Sequence, residues 1–117
     1  MAKREEPIKE EFKRMAIRFI ILKKLSQNRV YAYSLLKEIR SMPHMDFFCK
    51  DKNKLKNDIY NCLNALSKEG YIMVKQKKSG GKIRNYYSLT KKGMKSINEI
   101  KRNFETAVIR IKKILGV

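Results

Sequence analysis

Apolar residues in the middle of the chain recur every three or four positions, which is the spacing of one buried face of an α-helix. This pattern stops at Lys68-Glu69-Gly70, so we predict a helix over residues 52–69. A strand-like run at 71–77, a basic turn at 78–82 and a second run at 83–89 follow at once. The middle of the chain is therefore predicted to form a helix and a two-stranded hairpin. The apolar residues of the helix are Leu55, Ile59, Cys62, Leu63 and Leu66.

Two further helices are predicted before this unit. Apolar residues from position 8 or 10 to position 26 cover most of the circumference of a first helix, as expected for a core element or a subunit interface. A second helix is predicted over 30–42, because Pro43 pushes the residue before it out of the helical region. The loop at 44–53 holds Phe47 and Phe48, which we expect to pack against the domain.

A long final helix is predicted over residues 90–115, with Thr90 as its N-cap and Gly116 just beyond its end. Its apolar positions are spaced 3, 4, 3, 4 and 3 residues apart, as in a heptad seam between two helices. The helix would be ~39 Å long, more than a small domain needs for its own core. We therefore predict a dimerisation helix; packing on its own domain is the alternative. The predicted dimer-interface residues are Ile97, Ile100, Phe104, Ala107, Ile111 and Ile114.

The order of these elements predicts the fold class. A helix, a glycine stop, a basic hairpin and a final helix are typical of a mainly α fold with a small β-hairpin, the winged helix-turn-helix. With 117 residues the chain has room for a single core. We predict that residues 1–89 form a winged-helix DNA-binding part and residues 90–117 a C-terminal dimerisation helix, both within one domain.

Charge indicates the kind of partner. The chain has 29 Lys and Arg against 11 Asp and Glu, a formal net charge of +18. A charge this large destabilises the compact state through self-repulsion, so a polyanionic partner is expected. A merely solubilising surface is the alternative, but the helix–hairpin pattern favours double-stranded DNA.

The polar face of the 52–69 helix has the side chains that a major-groove helix needs. Asparagine can pair with adenine through two hydrogen bonds, lysine reaches guanine or phosphate, and a tyrosine hydroxyl can bind phosphate. An ordinary solvated face would mix Glu and Lys, and asparagines are poor helix formers. The predicted DNA-binding residues of this helix are Lys54, Asn57, Tyr60, Asn61, Asn64 and Lys68.

The hairpin is predicted to bind the DNA backbone or the minor groove. Ser79-Gly80-Gly81 permits the positive backbone angles of a tight turn. Basic residues on both strands can straddle phosphates or enter the minor groove, where the negative potential is concentrated. The predicted DNA-binding residues of this wing are Lys75, Lys77, Lys78, Lys82 and Arg84.

Catalysis, metal binding and membrane insertion are not expected. The chain has one histidine, His44, and no close carboxylate pair on an apolar face, so no nucleophile–base pair and no cofactor are predicted. Cys49 and Cys62 with His44 cannot complete a four-ligand zinc site, and Cys62 is expected to be a small buried hydrophobe. The most apolar run, 15–22, is far short of the ~20 residues of a membrane span. A cytoplasmic protein is expected.

Three segments resemble the PadR-like regulators. They are YAYSLLKEI at 31–39, the helix end and glycine stop at 59–72, and RNYYSLTKKG at 84–93. The resemblance covers about residues 12–100, with Ala32 and Asn61 departing from the usual glycine and proline. MarR-like proteins and other small archaeal or viral winged-helix factors share part of this pattern. The resemblance implies a dimeric winged-helix transcriptional regulator, often a repressor, whose C-terminal helix pairs the subunits.

Together these features predict a sequence-specific regulator that binds double-stranded DNA as a homodimer. The helix 52–69 would enter the major groove, and the wing at 75–84 would lie on the backbone or in the minor groove. The alternative is a protein-interaction or architectural winged helix that tolerates any nucleic-acid sequence. A cleft between the first and last helices could hold an apolar effector, but nothing in the sequence indicates one.

Overall fold

The computed structural model describes residues 7–28 and 30–117, which form five helices and three strands. In chain order they are α1 (Pro7–Gln27), β1 (Val30–Tyr31), α2 (Ala32–Arg40), α3 (Met45–Phe48), α4 (Lys52–Lys68), β2 (Ile72–Ser79), β3 (Lys82–Leu89) and α5 (Lys91–Leu115). The predicted fold class is confirmed: a helical body carries a small antiparallel sheet and a long final helix. The predicted first part begins at Met1, and its residues 1–6 lie outside the described chain.

The core lies between α1, α2, α4 and the base of the sheet. Each of these helices contributes one face of branched aliphatic side chains, and Ile72 and Tyr87 close the core from the strands. The apolar stripe predicted for α4 is buried at Leu55, Ile59 and Leu63. Helix α4 is therefore held by the face opposite to its asparagines.

The sheet has a third strand that the sequence pattern did not predict. Val30 pairs with Tyr87 and Tyr31 with Tyr86, so the sheet order is β1-β3-β2. The predicted start of the second helix at residue 30 was therefore wrong, and α2 begins at Ala32. The reason is a non-local one: the backbone of these two residues pairs with β3 instead of opening a helical turn.

The loop predicted at 44–53 contains the short helix α3, and its aromatic residues do not pack as predicted. Phe47 is 66% exposed and Phe48 is half-buried, whereas Met45 and Cys49 are buried in the core. The two phenylalanine rings stack edge to face, with centroids 5.1 Å apart. The expectation for Phe47 was therefore wrong, because a single helical turn cannot direct all its apolar side chains to one side.

The junction between α4, the hairpin and α5 is built around two glycines. Gly70 has φ +82° and ends α4, with the Tyr71 N–H donating to the Leu66 carbonyl at 2.9 Å in a Schellman motif. Thr90 caps α5 as predicted, accepting a hydrogen bond from the Gly93 N–H at 3.1 Å. Gly93 lies so close to the strand that a Cβ there would be 2.1 Å from the Tyr71 carbonyl oxygen.

Helix α5 has two different halves. Its first turns pack on the body through Gly93, Ser96 and Ile97, which are buried. From residue 101 to residue 117 every side chain is exposed. No helix in the described part of the chain is long and apolar enough to cross a membrane.

Candidate nucleic-acid interface

Helix α4 is capped at both ends, so its polar face has a defined position. The Asp51 carboxylate accepts hydrogen bonds from the Asn53 N–H at 2.9 Å and the Lys54 N–H at 3.3 Å. The glycine motif at Gly70 satisfies the last carbonyls. A helix with capped ends and one buried face frays little, so its remaining side chains have defined positions.

The structure divides the six predicted residues of α4 into a central face and two flanks. Asn57, Asn61, Asn64 and Lys68 are exposed side by side on the face opposite to the core. Tyr60 is half-buried on the flank towards the hairpin, where it packs against the core. Lys54 is half-buried on the other flank, where its ammonium lies 3.1 Å from Glu10 of α1.

Helix α1 neutralises both acidic residues of this region. From residue 52 to residue 89 the sequence has two acids, Asp58 and Glu69. Lys13 Nζ lies 2.9 Å from Asp58 Oδ2, and Arg18 Nη2 donates to Glu69 Oε2 at 2.6 Å. The uncompensated charge of the helix–hairpin unit is consequently all positive.

The pKa values of Lys13 and Glu69 follow from these ion pairs. Burial by itself lowers the pKa of Lys13, but the carboxylates of Glu10 and Asp58 outweigh it and raise that pKa above its ordinary value. The hydrogen bond from Arg18 lowers the pKa of Glu69. Lys13 and Glu69 are therefore charged at neutral pH, as ion pairs between α1 and α4 require.

The strand register places most of the wing's basic residues on one face. Lys75 pairs with Tyr86 and Lys77 pairs with Arg84. Lys82 lies two positions before Arg84 on the same strand. Because side chains alternate along a strand and paired residues share a face, these four cations lie on the outer face of the hairpin. Lys78 lies on the opposite face, across from Ile83. The lysines are exposed, and Arg84 is half-buried.

Aromatic rings at the base of the wing position two of these cations. The rings of Tyr31 and Tyr86 meet edge to face at 5.4 Å. Arg84 lies over Tyr31 at 4.9 Å, and Lys77 lies over Tyr86 at 5.3 Å. A hydrogen bond with Ser34 and the charge of Arg84 lower the pKa of Tyr31. Cation–π contacts of this kind fix the direction of a side chain that would otherwise be mobile.

A groove of about 470 Å³ separates α4 from this cluster. Its lining comes from α4, from the wing, and from β1 and the start of α2. The residues that line it are Tyr31, Ala32, Tyr33, Tyr60, Asn64, Arg84, Asn85 and Tyr87. None of them is acidic, and hydroxyl, amide and guanidinium groups are donors that suit a phosphate.

Several of these residues were absent from the sequence prediction. Tyr31, Tyr33 and Asn85 join the groove because β1 pairs with β3, which brings the start of α2 to the wing. Glu10 and Lys13 reach α4 because α1 packs across it. The sequence signal for the first group was the pair of tyrosines on either side of Ala32, where β1 meets α2; we find no local signal for the second.

The predicted interface seam of α5 is also divided. Ile97 is buried and Ile100 half-buried against the chain's own body. The next four positions, Phe104, Ala107, Ile111 and Ile114, are exposed, Ile114 by 82%. Val108 and Leu115 widen this exposed apolar stripe.

Both cysteines are free thiols. Cys49 is buried, and its Sγ donates to the Asp51 carbonyl at 3.3 Å, next to the cap of α4. Cys62 is half-buried, and burial raises the pKa of its thiol to about 11. A thiol with that pKa is protonated and unreactive at neutral pH, as expected for a packing residue.

A winged-helix body, an asparagine face and a basic hairpin define a winged-helix nucleic-acid-binding protein as a class. The chain belongs to the transcriptional regulator PadR-like family, whose model matches residues 21–99. Proteins of this family are non-enzymatic DNA-binding regulators, and this chain is a DNA-binding transcriptional regulator. The predicted resemblance and the predicted absence of catalysis are thus confirmed.

Solved structures of this family share the fold. The PadR family transcriptional regulator from Eggerthella lenta DSM 2243 is 21% identical, with a TM-score of 0.69 over 90% of this chain and 86% of that chain. The PadR-like regulator from Bacillus cereus strain ATCC 14579 is 28% identical, with a TM-score of 0.60 over 84% and 89%. Bacillus subtilis PadR, solved in complex with operator DNA, is 22% identical, with a TM-score of 0.59 over 72% and 45%. No curated protein matches the chain significantly.

Proposed function

We propose that this protein is a sequence-specific regulator that binds double-stranded DNA as a homodimer and represses transcription. Helix α4 would read base edges in the major groove, and the outer face of the wing would bind the backbone or the minor groove. Repression rests on the family resemblance alone. The solved complex of Bacillus subtilis PadR with operator DNA supports the choice of duplex DNA as the ligand.

One observation carries this proposal: an uncharged, exposed asparagine face lies beside a ribbon of uncompensated cations. Asparagine amides offer the paired donor and acceptor that identify adenine in the major groove. The ribbon supplies the sequence-independent attraction to phosphate. The groove between them, lined by Tyr31, Tyr33 and Arg84, has the donors to hold a phosphate next to the bases that α4 reads.

The dimer is supported by the second half of α5. The exposed stripe from Phe104 to Ile114 repeats in a heptad, and an isolated helix with such a stripe gains no burial from its own chain. Two antiparallel or parallel copies would bury it and set two α4 helices at a fixed separation. A two-fold protein then favours a palindromic site. We therefore assign residues 90–117 to dimerisation and the preceding part to DNA binding.

A duplex titration across a salt series tests the DNA-binding part. Random duplex should bind with an affinity that falls steeply with salt, and a duplex selected from a random pool should bind on the order of a thousandfold more tightly. Equal affinity for selected and random duplex would instead support a sequence-tolerant architectural protein. A labelled DNA containing the selected site beside a promoter then tests repression by in vitro transcription.

Sedimentation tests the dimer. Wild-type protein should sediment as a dimer, and Ile111→Glu should give a folded monomer, because a charge in the seam is buried without a partner. Lys112→Gln, at its exposed neighbour in the same helix, is the control, because it changes the charge by the same single unit outside the seam. A wild-type monomer, or an Ile111→Glu dimer, contradicts the proposed role of α5.

A further inference from the structure

The first turn of α4 has an electrostatic problem. It contains Lys52 and Lys54 and no acidic residue. The N-terminus of a helix is the positive end of its macrodipole, where cations are unfavourable and anions are stabilising. Asp51, the capping residue, is the nearest negative charge in the sequence. A second carboxylate comes from outside the helix.

That carboxylate is Glu10 of α1. Its Oε1 accepts hydrogen bonds from Lys54 Nζ at 3.1 Å and from Lys13 Nζ at 2.9 Å. Its Oε2 also lies 2.9 Å from Lys13 Nζ. One carboxylate of α1 is thereby shared between a lysine of its own helix and a lysine of the recognition helix.

Lys13 makes this arrangement rigid. Its side chain is only 1% exposed, and it binds Asp58 of α4 as well as Glu10. A lysine buried in this way has lost the rotamer freedom that weakens ordinary surface ion pairs. The hydrogen bond from Lys13 lowers the pKa of Glu10, so this carboxylate stays ionised. Glu10 is therefore a fixed negative charge at the edge of the DNA-binding face.

Lys54 remains accessible from outside, since its side chain is 43% exposed, whereas that of Glu10 is 22% exposed. A DNA phosphate could thus approach the Lys54 ammonium, but it would compete with a carboxylate that already occupies it. A cation that is neutralised within the protein releases no counterion from DNA, so it adds nothing to the salt dependence of binding.

We propose that Glu10 is a built-in counterion for Lys54, which lowers the sequence-independent attraction of this strongly basic chain to duplex DNA. Glu10 is a positioning residue that acts through Lys54 and touches no DNA itself. The inference rests on the proposed DNA-binding function. The Glu10–Lys54 pair would raise selectivity, because it lowers the affinity that comes from charge alone and leaves the base contacts of the asparagine face unchanged.

The test is Glu10→Gln, measured by titration on random duplex at several salt concentrations. Removing the Glu10 charge from beside Lys54 should steepen the slope of log affinity against log salt by about 0.9 and raise the affinity on the order of tenfold at ~50 mM salt. That advantage should shrink about 3.5-fold by ~200 mM. The matched control is Glu11→Gln, because Glu11 is exposed one residue further along α1 and the charge change is the same.

A double variant assigns the effect to Lys54. Lys54→Met should reduce the slope more in the Glu10→Gln protein than in the wild type, because only there does the ammonium lack the charge of Glu10. Circular dichroism and thermal unfolding verify that each variant is folded, and Lys13 keeps Asp58 as a partner in all of them.

The outcomes separate the two proposals. A wild type that binds no duplex overturns the proposed function together with this inference. A wild type that binds DNA, with an unchanged slope for Glu10→Gln, overturns the counterion role alone. An equal steepening for Glu10→Gln and Glu11→Gln, or one that persists in full in the Lys54→Met background, also overturns it.

Discussion

Helix α4 and the wing, which face the same groove, are held in different ways. Helix α4 has a cap at each end, a buried apolar face and ion pairs to α1 through Asp58 and Glu69. The wing beyond its base is held by backbone pairing and a two-glycine turn, and the lysines near its tip are exposed. Among the described side chains of the wing, only Arg84 and Lys77 have aromatic contacts that direct them.

This difference matches two kinds of recognition. Hydrogen bonds to base edges depend on distance and angle, so the groups that make them need a fixed frame. Attraction to phosphate depends mainly on charge and falls gradually with distance, so it tolerates a mobile ribbon. Changes in α4 should therefore alter which sequence is bound, and changes in the wing should alter how tightly any sequence is bound.

The largest expected effect is at the junction that holds both regions. A methyl group at Gly93 would collide with the Tyr71 carbonyl, between the end of α4 and the start of β2. We expect Gly93→Ala to destabilise the protein by about 3 kcal/mol, since backbone cannot move aside as a side chain can. Urea unfolding followed by circular dichroism measures this loss.

Gly116→Ala is the control for that change. Gly116 has φ +72° at the other end of α5, with no atom near the added methyl group, so it should cost only about 1 kcal/mol of backbone strain. A similar cost for both variants would contradict the close packing at Gly93.

The next effect separates the two regions. Asn61→Ala should weaken binding to a selected site by ~1–3 kcal/mol and leave random duplex unaffected, if its amide makes a paired contact to a base. Competition titrations with the two duplexes give the difference directly. Asn98→Ala, an exposed asparagine of α5, should change neither. An equal loss on both duplexes would place Asn61 away from the bases.

The wing should behave in the opposite way. Lys82→Ala, on the outer face of the wing, should weaken selected and random duplex alike and reduce the salt slope by about 0.9, the contribution of one phosphate contact. Lys101→Ala removes the same charge from an exposed position of α5. If Lys82→Ala instead changes the preferred sequence, the wing reads bases, and the proposed difference between α4 and the wing is wrong.

The smallest expected effect concerns the ion pair between Arg18 and Glu69, which joins α1 to the end of α4. Because Arg18 lowers the pKa of Glu69 below its ordinary value of 4.5, the folded state binds this proton less readily than the unfolded state. The pair therefore stabilises the fold above that ordinary value, and its contribution is lost as pH falls through the folded pKa. For a pair this exposed, about 0.2–1 kcal/mol is expected.

Glu69→Gln tests this contribution. The variant should be less stable than wild type at pH 7, and the difference should disappear near pH 3 in urea unfolding. Glu105→Gln, an exposed glutamate of α5, serves for comparison. A difference that stays constant with pH would show that Glu69 acts through packing and not through its charge.

The features that could be predicted from the sequence depend only on residues that lie a few positions apart. The cap at Thr90, the glycine stop at Gly70 and the apolar stripe of α4 each depend on near neighbours, and the structure has all three. The apolar seam of α5 could be predicted because a heptad repeats locally. The sequence does not show that the seam is covered by the chain's own body up to residue 100 and exposed beyond it.

What could not be predicted depends on partners far away in the sequence. Val30 and Tyr31 are residue types that favour strands, but they pair here because β3, which lies far along the chain, offers them a free edge. Lys13 looks like a solvated lysine until α1 is packed on α4, where Asp58 makes its burial favourable. A helical wheel placed Lys54 on the polar face, whereas the structure places it on a flank beside Glu10 of α1, which a wheel cannot show.

The tyrosines of the groove have a spectroscopic consequence. The chain has six tyrosines and no tryptophan, so its intrinsic fluorescence comes from tyrosine alone. Five of them line the groove or stack at the base of the wing: Tyr31, Tyr33, Tyr60, Tyr86 and Tyr87. Only Tyr71 lies elsewhere, against Arg18 and Lys92. Emission from the unlabelled protein therefore reports directly on whether this groove is occupied.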